Sequence, residues 1–165
     1  MELVWLNRHT MVTPHLLLAG DESTYRDACA HLKDDWPAPW LREGFGACTH
    51  TYYKEHKLTC IVAINVAEAA KREDQVPVIG LLAHEATHIV QRMYENVGEG
   101  TPGSEHQAYS MQNVLQELLW EYSRQKEALT GRASGSTTRT VPRTNTANRS
   151  TPRAKRGTVR SYRRR

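Results

Sequence analysis

At 165 residues the chain amounts to one domain with room for an appendage, and its 39% apolar content is enough for a modest core. The net charge of +4 averages two unlike regions: residues 131–165 hold 11 of the 22 Lys and Arg and no Asp or Glu (+11), which leaves residues 1–130 with 11 basic against 18 acidic side chains (−7). No apolar run is long enough for a membrane span, and three cysteines without a CxxC pair argue against a disulfide framework or zinc ribbon and for a reducing compartment.

In chain order, residues 1–13 show no clear period, although Val4, Trp5 and Leu6 can pack. They offer no charged leader followed by a long apolar stretch, so no signal peptide is expected. Residues 15–19 read as a short apolar strand ended by Gly20. Asp21 or Ser23 can cap a helix running to Lys33, with Tyr25, Ala28, Cys29 and Leu32 on its inner face. The prolines of Trp36-Pro37-Ala38-Pro39-Trp40 predict a stiff loop whose two tryptophans cover the core. Residues 45–53 and 58–66 are β-prone and flank the charged turn at residues 54–57, which predicts an antiparallel hairpin. His50 and His56, near that turn, read as solvated surface residues. A helical turn is expected over residues 67–72 and a long helix over residues 77–94, with Pro77 as its first residue. After a glycine-rich loop at residues 96–103, a second long helix runs from Ser104 to about Leu129, with Ser104 and Gln107 as a capping box.

The chemistry lies in the first long helix, where residues 84–88 read His84-Glu85-Ala86-Thr87-His88. Two histidines four apart on a helix lie one turn apart on one face, so both imidazoles can reach a single Zn²⁺. Glu85 lies about 100° round from His84, beside such a metal, where it can take a proton from a zinc-activated water as general base. Catalytic zinc commonly has three protein ligands and an open position for water. The extended HExxHxxGxxH pattern is absent, because Gln91 and Tyr94 stand at its glycine and third histidine positions. Glu105, at the start of the next helix, is the expected third ligand, with Glu99 and His106 as rivals. Tyr109 follows Glu105 by one helical turn and can donate to an oxyanion or simply pack.

The run from Leu82 to Gln91, followed by Gly98-Glu99 and then by residues 104–112, resembles small phage-encoded metallopeptidase-like proteins of the minimal gluzincin type. The similarity spans residues 14–125 and is specific over residues 81–112. Met111 replaces an isoleucine that is usual in the family pattern. The resemblance implies a zinc peptidase with Glu105 as third ligand and Ala108-Tyr109 as its neighbours. It implies a host-cytoplasmic location for a phage-encoded chain, with virion association left open, and it does not include the basic segment.

Residues 131–165 are rich in Ser, Thr, Pro and Arg and are expected to be disordered in isolation, with non-specific nucleic-acid binding as their candidate role. The sequence thus predicts an α+β fold: a helical zincin-like core over residues 1–130 with a small antiparallel hairpin or sheet, plus the tail. The expected activity is zinc-dependent hydrolysis of peptide or protein substrates, with His84, His88 and Glu105 on the metal and Glu85 as base. The alternative is a nucleic-acid-associated accessory protein with a structural or vestigial zinc site. No membrane partner is expected, and the sequence leaves the oligomeric state open.

Overall fold

A computed structural model describes residues 3–6, 14–54 and 57–131. The readings for the rest of residues 1–13, for the tip of the hairpin including His56, and for residues 132–165 lie outside the described residues. The element order is β1 (His15–Ala19), α1 (Glu22–His31), β2 (Ala47–Lys54), β3 (Lys57–Ile64), α2 (Val66–Ala70), α3 (Val76–Val97) and α4 (Ser104–Leu129). The fold is α+β, with a three-stranded sheet in the order β1-β3-β2.

The hairpin of β2 and β3 is antiparallel, with Thr49 opposite Val62 and Thr51 opposite Cys60. The first strand departs from expectation: β1 pairs with β3 in parallel, Leu17 opposite Ile61, so the sheet is mixed rather than antiparallel throughout. The reason is burial. Residues 58–64 are buried on both faces of the sheet, and a strand in that position needs neighbours on both edges to satisfy its backbone.

Helix α1 covers one face, where Tyr25, Ala28 and Cys29 pack with Leu17, Ala19 and Ile61. Asp21 caps it by accepting from the Thr24 amide at 2.7 Å. The longer helices α3 and α4 cover the other face, where Leu82, Ile89 and Leu118 are fully buried with Leu16, Val62 and Ile64. Trp40 packs against the α1 layer, whereas Trp36 is 93% exposed and covers nothing. All three cysteines are free, with Cys29 and Cys60 buried. No helix among the described residues is long and apolar enough to cross a membrane.

The helix termini show where local signals are decisive. Helix α3 begins at Val76, one residue before Pro77, with the Val76 amide donating to Asp74 Oδ1 at 2.9 Å. It ends at Gly98, whose φ of 71° is left-handed and suits a residue without a Cβ. The Glu99 amide closes that turn on the Tyr94 carbonyl at 2.9 Å. Helix α4 does start at Ser104, but its cap is the backbone of Gly103 and no side-chain capping bond forms. The Ser104–Gln107 capping box is therefore not realised, because Ser104 already sits inside the first turn.

His50 also departs from expectation. It lies in the middle of β2, partly buried, with Nε2 2.9 Å from the Trp40 carbonyl and Nδ1 3.3 Å from the Tyr25 hydroxyl. It pins the proline-rich loop to α1 instead of facing solvent.

Candidate metal centre and cleft

Helix α3 buries Val78, Leu82, Ala86, Ile89 and Met93, a stripe advancing three or four residues at a time. That packing fixes the helix's rotation and turns His84 and His88 outward, one turn apart and both exposed. Their Nε2 atoms are 3.1 Å apart and their rings are nearly perpendicular, at 89°. Two nitrogens bound at about 2.0–2.1 Å to one tetrahedral zinc would lie roughly 3.3 Å apart, so the pair nearly has that spacing already. The His88 Nδ1 faces Gln91 Oε1 at 3.4 Å, an orientation that leaves Nε2 as the ligating atom.

Glu85 is on the stripe itself and only 4% exposed. A carboxylate so placed needs hydrogen bonds. Thr49, on the α3-facing side of β2, donates its hydroxyl to Glu85 Oε2 at 2.7 Å. Thr49 carries no signal in the sequence, because 36 residues separate the partners and only the docking of strand on helix joins them.

These side chains line a cavity of about 720 Å³ between β2 and α3. Five consecutive residues of β2, Ala47 to Thr51, contribute from both faces of the pleat, as an unpaired strand edge does. Since β3 lies on its other side, β2 is an edge of the three-stranded sheet. At one end Gly46 passes close over Leu81, where a Cβ would come within 2.9 Å of that side chain. Arg42 and Phe45 form the rim there, and Arg92 belongs to the lining on α3. Neither Arg42 nor Arg92 carries a sequence signal of its own.

Helix α4 packs along α3, with Tyr94 and Ser110 hydroxyls 3.0 Å apart and the His106 ring against Tyr94. Glu105 is exposed in the first turn of α4 and makes no ion pair or hydrogen bond with another described residue. Glu99 is exposed just beyond Gly98. Tyr109 is 60% exposed on α4 and does not line the cavity. Among the described residues no three His, Cys, Asp or Glu side chains converge on one point where a metal ion could be held. The structure thus brings together His84, His88 and Glu85, and leaves Glu105 and Tyr109 apart from them. The donor pair suits zinc by spacing and chemistry, with at least one further ligand needed.

No family model, curated protein or solved structure matches this chain.

Proposed function

We propose that the protein is a zinc-dependent peptidase of minimal zincin type. The observation that carries this reading is the His84–His88 pair, with nitrogens 3.1 Å apart, set beside a buried Glu85 in a cleft walled by a free strand edge. His84 and His88 would hold the metal, and Glu105, the exposed carboxylate on the neighbouring helix, would have to turn toward them to supply the third ligand. When bound, zinc supplies a Lewis acid for the scissile carbonyl and acidifies the attacking water. Glu85 takes the proton from that water and later gives it to the leaving amine. Thr49 keeps the Glu85 carboxylate aimed along the cleft during both transfers. The backbone of β2 offers unpaired N–H and C=O groups that can add an extended peptide as a further strand. Tyr109 is the proposed oxyanion donor, a role that requires its exposed ring to turn toward the cleft.

The competing reading, a nucleic-acid-associated protein whose metal site is structural or vestigial, draws on the +11 charge of residues 131–165 and on the absence of a preassembled third ligand among the described residues. Hydrolysis of a denatured-protein mixture by zinc-loaded wild type and Glu85→Gln separates the two. A catalytic site loses turnover in the variant, and a structural one shows none in either.

A further inference from the structure

We propose that the cleft selects peptide segments carrying an acidic side chain on each side of the scissile bond, bound by Arg42 at one end and Arg92 at the other. This rests on the peptidase reading and adds its substrate class.

Strand and helix run in the same direction along the cleft. Gly46 lies on Leu81, Thr49 meets Glu85, and Thr51 and Arg92 both line the cavity beyond them. Arg42 precedes β2 through the turn closed by the Phe45 amide on its carbonyl at 3.0 Å, on the Gly46 side of the strand, and it lines the cavity. Arg92 is one helical turn beyond His88, at the Thr51 end. In the order of the cleft, His84, Glu85 and His88 therefore come after the Gly46–Leu81 end and before Arg92.

From Ala47 to Thr51 a strand advances about 14 Å, at roughly 3.4 Å per residue. An extended peptide added along β2 would place residues i and i+4 on the same side and about that far apart. An acidic side chain at each of those two positions would face the arginine at its own end of the cleft.

Among the described residues the lining contains a single acid, Glu85, and it is committed to Thr49. Arg42 is in no ion pair with a described residue, although the exposed Glu43 adjoins it. Arg92 bonds Glu95 at 2.7 Å, but both are more than half exposed, and such a surface pair exchanges readily for a substrate carboxylate. Residues 1–130 carry −7 overall, yet charges more than about 8 Å away are largely screened at physiological salt, so the two guanidiniums dominate inside the cleft. An arginine fork also fits a carboxylate better than any other peptide side chain.

The test is binding of labelled nine-residue peptides to the full-length Glu85→Gln protein, read by fluorescence anisotropy with and without zinc. One peptide has two glutamates four residues apart, a second has two adjacent glutamates, and a third has glutamines. Residues 131–165 should attract both acidic peptides alike, so spacing isolates the cleft. Each arginine should contribute about a two- to fivefold gain for the spaced peptide over the adjacent one, the range of exposed ion pairs. Arg42→Gln with Arg92→Gln should erase that gain. Equal binding of spaced and adjacent peptides, or a gain undiminished in the double variant, overturns the proposal. Displacement of the spaced peptide by a short oligonucleotide, abolished in the double variant, would assign the arginines to phosphate and overturn it as well. If the preference holds while zinc-loaded wild type fails to cut the spaced peptide, the peptidase reading fails and the charge selection stands.

Discussion

The Thr49 hydroxyl donates to Glu85 Oε2 at 2.7 Å, joining the edge strand to the helix that carries both histidines. This bond gives the buried carboxylate a partner and a fixed direction. Thr49→Val keeps the shape but removes the donor. It should destabilise the fold by about 1–3 kcal/mol, the cost of leaving a buried polar group unsatisfied. Hydrolysis should fall at least tenfold, and Thr49→Ser should restore most of both. Chemical denaturation and turnover on one substrate check this; wild-type stability and turnover in Thr49→Val would show the bond to be incidental.

Removing packing under the site should act on stability rather than on metal chemistry directly. Leu82 and Ile89 are fully buried on the stripe that fixes the rotation of α3. Leu82→Ala or Ile89→Ala should cost about 2–5 kcal/mol in urea unfolding. A cost under about 1 kcal/mol would mean that the helix is held by something other than this core.

Alkaline pH should weaken the fold. Burial pushes the Cys60 thiol from its ordinary 9.0 up to about 12, against the Thr51 hydrogen bond and the Arg92 charge. Burial also pushes the Tyr25 phenol from 10.0 up to about 12. In both, the fold favours the neutral form. Between about pH 9 and 12 the unfolded chain therefore holds fewer protons than the folded one, and stability falls as pH rises. Urea midpoints from pH 8 to 11 should decline, less steeply in Cys60→Ala from pH 9 and in Tyr25→Phe from pH 10. A flat wild-type profile would contradict these environments.

Much of this was legible because it is local. The hairpin, the extent of α4, the Asp21 cap and the spacing of His84, Glu85 and His88 follow from residues a few positions apart. The parallel pairing of β1 with β3 was not legible, since 44 residues separate Leu17 from Ile61 and only a shared burial joins them. The burial of His50 is not legible for the same reason: its partners, Trp40 and Tyr25, reach it through a loop and a helix. Glu85 is the informative case. Its place on the apolar stripe is visible in the sequence, but the donor that permits its burial is not. The third ligand has the same difficulty. It depends on where α4 begins relative to α3, and the exposed Glu105 is not gathered with the histidines.

The basic segment should be separable from the site. Residues 131–165 carry +11, and the remainder carries −7 and should repel a phosphate backbone. Deleting them should abolish nucleic-acid binding while leaving zinc content and helical signal unchanged. Binding by the full chain should weaken steeply with salt and ignore sequence. Undiminished binding by the shortened protein would place the interface elsewhere.

The central claim is that His84 and His88 hold a zinc ion on which Glu85 depends for hydrolysis. The direct measurement is the zinc content of full-length protein purified without chelator, taken with turnover on a denatured-protein mixture, for wild type, His84→Ala, His88→Ala, Glu105→Ala and Glu85→Gln. The account predicts one zinc per chain in wild type and in Glu85→Gln, with turnover only in wild type. It also predicts loss of zinc in either histidine variant and weaker retention in Glu105→Ala. Metal-free wild type that stays metal-free after incubation with zinc, or turnover unchanged in Glu85→Gln, would contradict it.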